Sequence, residues 1–136
     1  MSVIRTFRDL IAWQKGMDLT VAIYELTKHY PTDERYGLVS QMRRAASSIP
    51  CNVAEGFGRR TKADYLRFLD IAAGSANELI TQLMLSDRLN MVSKTGLDKP
   101  IQLCEEVRRI IRGLIIAIDH NAKTSRCDKS QGPPAE

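Results

Sequence analysis

Residues 40–60, SQMRRAASSIPCNVAEGFGRR, restrict the fold more than any other stretch of the chain. Leu38, Val39, Met42, Ala45, Ala46, Ile49 and Val53 recur at three- and four-residue steps, the period of a helix with one apolar face. Pro50 lies inside that stripe. It removes the amide that would bond the carbonyl of Ala46 and crowds that carbonyl, so a single kinked helix over about 34–55 is predicted. Ser47 and Ser48, one turn earlier, are placed to satisfy the freed backbone groups. Thr32 or Asp33 caps this helix, with Glu34 near the positive end of its dipole. Gly56 and Gly58 are expected to end it in the left-handed conformation that glycine tolerates.

Three further helices complete the reading. Thr6 and Asp9 form a capping box ahead of a first helix over about 7–30, which Pro31 stops. Its apolar residues fall on two faces: Leu10, Trp13, Met17, Val21 and Tyr24 on one, Ala12, Gly16, Leu19, Ile23, Leu26 and Tyr30 on the other. A helix sandwiched within its own fold has two such faces, and so does one whose second face meets another subunit. Thr61 and Asp64 cap a third helix over about 62–90, whose small AAGSA run at 72–76 invites close approach of a neighbour. A fourth helix follows over about 99–122, with Asp98 capping and Pro100 in its first turn. Residues 123–136 have no apolar period and read as a disordered tail. An aromatic content of only 6% and the lack of strand patterns agree with this all-α reading, a four-helix up-and-down bundle in one domain, 1–122.

Several functions lose support at once. Cys51, Cys104 and Cys127 lie at wide, irregular spacings that suit neither a disulfide framework nor a zinc site, and no cofactor motif occurs. The first ten residues lack a signal peptide's apolar run, and no stretch of eighteen apolar residues spans a bilayer, so a cytoplasmic setting is the simplest expectation. Twenty basic residues against sixteen acidic ones leave a net charge of +4, too modest to establish a nucleic-acid binder alone.

The segments FRDLIAWQKGMDL, YPTDERYGLVSQMRRAASSIPCNVAEG and YLRFLDIAAGSANEL resemble the bacterial four helix bundle protein family. That family includes products of reading frames within 23S ribosomal RNA intervening sequences. The chain is also similar to the accessory variability protein of diversity-generating retroelements. The resemblance is carried by SxxxNxAEG at 48–56 and AxGSxxEL at 72–79, and covers residues 7–92 closely. It implies a homopentameric, barrel-like ring, binding to nucleic acid or to a reverse transcriptase, and no catalytic activity. The longer tail and Cys51 depart from the family pattern.

Arg43, Arg44, Arg59, Arg60 and Lys62 bracket the second helix and are the candidate nucleic-acid-binding residues. Residues 31–62 hold six basic groups against three acidic ones, +3 of the chain's +4. On a single subunit these cations suit a solvated face with internal pairs such as Glu55–Arg59. Repeated around a ring, they suit multivalent contact with phosphates of RNA or DNA. Aromatics are too few for base stacking to be expected. Arg108, Arg109 and Arg112 form a second ridge that Glu105 and Glu106 are expected to neutralise. Asn52, Glu55 and Glu78 suggest an interhelical polar network that fixes register rather than an acid–base site. The leading expectation is a non-enzymatic oligomeric scaffold binding structured RNA through phosphates. The alternative is a protein adaptor ring that docks a partner such as a reverse transcriptase, and an enzyme using Glu55 and Glu78 is a weak third.

Overall fold

A computed structural model describes the backbone of residues 3–130 and the side chains of residues 3–120. The chain forms four helices, α1 (Ile11–Thr27), α2 (Leu38–Phe57), α3 (Lys62–Arg88) and α4 (Lys94–Ser130), and no strand occurs among the described residues. Each helix packs on its two neighbours around a square: α1 on α2, α2 on α3, α3 on α4 and α4 back on α1. The backbones of the diagonal pairs stay more than 8 Å apart, Cα to Cα, across the core. Short links make this an up-and-down bundle, with Leu19, Ile23, Met42, Ile49, Leu69, Leu79, Leu83 and Ile111 closed off from solvent at its centre.

The capping box forms, but it caps a separate short turn. The Asp9 carboxylate accepts from the amides of Arg5 (2.8 Å) and Thr6 (3.0 Å), which hold its pKa below the ordinary carboxylate value. That box closes only a 3-10 turn at Phe7–Asp9; Leu10 turns extended, and α1 starts at Ile11 instead of Phe7. At its other end α1 stops at Thr27, three residues early, as His29 and Tyr30 tighten onto the carbonyls of Leu26 and Thr27 before Pro31. Thr32 and Asp33 likewise belong to a separate 3-10 turn, Thr32–Glu34, rather than capping α2. The first amide of α2, that of Leu38, donates to the Glu34 carboxylate at 3.3 Å.

Pro50 is accommodated without interrupting α2, by a route different from the one the serines suggested. The orphaned Ala46 carbonyl accepts from the Thr20 hydroxyl of α1 at 3.1 Å, a hydroxyl shared with the Gly16 carbonyl at 2.8 Å. Ser47 donates to the Arg44 carbonyl instead, and Ser48 pairs with Ser75 of α3 at 2.9 Å. The pyrrolidine ring seats against α1 at Gly16, where a Cβ would lie 3.4 Å from it, at ordinary van der Waals contact.

The glycines also act otherwise than expected. Neither Gly56 nor Gly58 is left-handed: Gly56 is helical, and Gly58 closes α2 at φ −79°. Gly56 is required by proximity, because a Cβ there would meet the Phe68 Cβ at 2.9 Å and the Tyr65 carbonyl at 3.2 Å. Conversely, Gly74 in the AAGSA run faces open space, and the buried small residues of that run are Ala72, Ala73 and Ala76.

Thr61 caps α3 as expected, accepting from the Asp64 amide at 3.1 Å. α4 begins at Lys94, earlier than Lys99, with the Ser93 hydroxyl accepting from the Gly96 amide at 3.4 Å. Pro100 therefore lies in its second turn. The helix also continues to Ser130, where a tail was expected from 123. No glycine or proline interrupts the chain between Leu114 and Ser130; the first breakers are Gly132 and Pro133. Residues 131–136 and the Cys127 side chain lie outside the described residues.

Candidate nucleic-acid interface

The five candidate cations do not form one cluster. At the rise of an α-helix, Arg43 and Arg59 stand roughly 24 Å apart along α2. They lie at opposite ends of the bundle.

At the Arg43 end, α2 passes the end of α1. The Arg43 guanidinium donates to the Thr27 hydroxyl at 2.9 Å and to the Tyr24 carbonyl at 3.4 Å, and it stacks 4.5 Å from the centre of the Tyr24 ring. The last carbonyls of α1, the negative end of its dipole, hold this cation in place. Arg35, Tyr36, Ser40, Arg44 and Ser47 close around the same spot, forming a concavity of about 290 Å³ with no carboxylate in its lining. Arg44 also borders a second groove, where it faces Ser48, Ser75 and Glu78, but Glu78 is outside salt-bridge distance.

At the other end the charges are partly spent. Arg59 pairs with Glu55 at 2.6 Å, the pairing expected from their four-residue spacing, and packs on the Phe68 ring at 4.7 Å. Arg67 packs on the same ring at 4.6 Å and reaches Asp64 at 3.9 Å. Arg60, exposed in the α2–α3 turn, and Lys62, exposed at the start of α3, have no carboxylate within salt-bridge distance among the described residues.

Asn52, Glu55 and Glu78 are not brought together. Asn52 donates to the Ser48 carbonyl (2.7 Å) and hydroxyl (2.9 Å), and Ser48 in turn meets Ser75. This Asn52–Ser48–Ser75 chain is the polar link between α2 and α3. Glu55 is engaged by Arg59, and exposed Glu78 accepts from Gln82 at 3.4 Å. The only hint of the real partner in sequence was the four-residue step from Ser48 to Asn52.

The fourth-helix ridge also differs from expectation. Glu106 reaches across to Lys15 on α1 at 3.7 Å instead of neutralising the arginines. Arg108 donates to Asn77 at 3.3 Å, and together with Arg109 and Arg112 it lines a groove of about 640 Å³ over Ala73 and Gly113, again without a carboxylate in the lining.

No cluster of three or more potential metal ligands occurs among the described residues. Burial pushes the Cys104 thiol up to about 12, so it stays protonated at neutral pH, donating to the Ala76 carbonyl at 3.5 Å.

Two apolar surfaces complete the geometry. The inner stripe of α1 is core, whereas Met17, Val21 and Tyr24 of the outer stripe stay exposed. Diagonally across the bundle, Met84, Leu85 and Leu89 of α3 are also exposed. No helix among the described residues is long and apolar enough to cross a membrane.

The 23S rRNA-intervening sequence protein family matches residues 8–113. The chain belongs to that family. The match takes in all of α1–α3 and more than half of α4, and so both ends of the candidate interface. A similar solved structure is a protein of unknown function from the S23 ribosomal protein family of Bacteroides thetaiotaomicron. It is 23% identical, covers 77% of this chain and 95% of its own, and superposes with a TM-score of 0.72, a likeness of fold. No curated protein matches the chain.

Proposed function

We propose that this protein is a non-enzymatic, oligomeric scaffold that binds structured RNA through sequence-independent phosphate contacts. The observation that carries this reading is the set of uncommitted guanidinium and ammonium groups. Arg35, Arg44, Arg60 and Lys62 have no carboxylate within salt-bridge distance among the described residues. A solvated face with internal pairs accounts for Arg59, but it leaves these four unexplained. The family's name, which refers to sequences within ribosomal RNA, agrees with an RNA partner.

Assembly strengthens the reading. A cyclic ring of odd number closes through head-to-tail contacts and needs two different patches on each subunit. The exposed apolar faces of α1 and of α3, on opposite sides of the square, supply two such patches. In a homopentamer, five copies of a +4 chain carry about +20, and weak phosphate sites on linked subunits add through effective concentration.

The same apolar faces favour a second reading, an adaptor ring that docks a protein such as a reverse transcriptase, its charge serving steering and solubility. Light scattering with and without structured RNA separates the two. The expected result is a pentamer mass that rises with RNA at low salt and returns at high salt, because each phosphate contact makes affinity fall with salt. A pentamer indifferent to RNA would favour the adaptor, and a monomer would remove the avidity on which RNA binding depends.

A further inference from the structure

The concavity at the α1–α2 corner holds a feature that phosphate binding alone does not need. Tyr36 is 89% exposed, the most exposed large hydrophobic side chain among the described residues, at the edge of a lining that contains three guanidinium groups and two serine hydroxyls. A tyrosine ring left in water at the mouth of a basic pocket loses burial it could have had elsewhere. Its Arg35 neighbour sits 5.9 Å from the ring centre, too far to cover the face closely. On the inner side, Arg43 is fixed on Tyr24 and on the end of α1, so its charge is already positioned before any ligand arrives.

Accepting the nucleic-acid reading above, we infer that this corner is a subsite for one unpaired nucleotide, its base stacked on Tyr36 and its phosphate held by Arg35, Arg43 and Arg44. The concavity of about 290 Å³ is of a size to receive a single nucleotide-sized group. Stacking on an aromatic face needs a base splayed out of its helix, which loops and bulges of structured RNA provide. The hydroxyls of Ser40 and Ser47 in the same lining offer further donors to phosphate or base edges. The protein thereby prefers RNA with unpaired bases, without reading their sequence, since every base has a face to stack.

The test compares binding of an unstructured oligo(A) RNA with that of an RNA duplex of equal phosphate count, by fluorescence anisotropy over a salt series. The wild-type chain is measured beside Tyr36→Ala, Tyr36→Phe and Arg44→Ala, each variant checked by thermal melting. Tyr36→Ala is expected to weaken the single-stranded complex about five- to a hundredfold while leaving the duplex and the salt slope unchanged. Tyr36→Phe should restore the single-strand affinity, because the ring and not the hydroxyl stacks. Arg44→Ala should weaken both ligands and reduce the salt slope by about one contact. Equal loss on both ligands in Tyr36→Ala, or no loss, overturns the stacking subsite while leaving phosphate binding in place. Absence of any RNA binding by the wild-type chain at low salt overturns both readings.

Discussion

The two ends of α2 carry similar cations in opposite circumstances. At the α1 end, Arg43 is held by the Thr27 hydroxyl and by the carbonyl and ring of Tyr24, and beside it Arg35 and Arg44 face a concavity without carboxylates. At the α3 end, Arg59 is neutralised by Glu55 and laid on Phe68, leaving Arg60 in the turn and Lys62 at the start of α3 on an open surface. All four unpaired cations are exposed; the first end gathers its cations around one shared concavity, whereas the second spreads them over an open surface. Counting basic residues treats the ends as equal. What differs is whether each cation has already been matched inside its own subunit.

The largest effect expected from this contrast is on RNA affinity. Arg35→Glu with Arg44→Glu should weaken RNA binding at low salt on the order of a hundredfold and flatten the salt dependence by about two contacts. Arg60→Glu with Lys62→Glu should weaken it nearer tenfold, since those groups line no shared concavity and meet phosphate singly. A filter-binding salt titration of both double variants decides the matter. Equal losses would mean that concavity adds nothing to charge, and a larger loss at the α3 end would invert the comparison.

The next effect is on stability. Arg43→Ala leaves the buried Thr27 hydroxyl and the end of α1 without their guanidinium and strips the cover from Tyr24, so a loss of about 1–2 kcal/mol is expected. Arg59→Ala removes a solvent-exposed pair and a ring contact, for a loss of about 0.5–1 kcal/mol. Urea unfolding with matched m-values measures both. An equal cost for the two variants would show that Arg43 is no more built into the fold than Arg59.

The bundle is legible in sequence because its evidence is periodic: apolar stripes at helical steps, punctuated by Pro31, Gly58 and Thr61. Three kinds of feature were not. Caps could be recognised by type, yet Thr6 and Thr32 serve short 3-10 turns, because local hydrogen bonding does not say how far a helix propagates. Partners across the fold were hidden: the group that satisfies Ala46 is Thr20, 26 residues away, and Glu106 serves Lys15 on another helix. The candidate site suffered similarly. Arg43, Arg44, Arg59, Arg60 and Lys62 could be named, but the Arg35–Tyr36 corner depends on how the α1–α2 link folds back, and no spacing along the chain encodes that. Gly56 was singled out for the wrong property, since the tight contact with Phe68 and Tyr65 arises only when α3 returns beside α2.

The smallest and sharpest predicted effect comes from carboxylates and not from cations. If Arg59 contributes little to RNA binding because Glu55 already holds it, then Glu55→Gln should release it. Removing one negative charge from an exposed site raises local potential modestly, so affinity for RNA should tighten about two- to threefold at low salt, and the gain should vanish as salt rises. The stability cost should stay below about 0.5 kcal/mol, the usual worth of an exposed four-residue-spaced helical pair. Glu78→Gln is the matched variant at the other end. Glu78 borders the groove beside Arg44 without pairing with it, so its removal also raises potential but frees no cation. Glu55→Gln should therefore steepen the salt slope by up to one contact, whereas Glu78→Gln should raise affinity with the slope unchanged. Identical slopes in the two variants would mean that Arg59 stays on Phe68 without its carboxylate, and that the aromatic ring, more than the ion pair, keeps this arginine from the ligand.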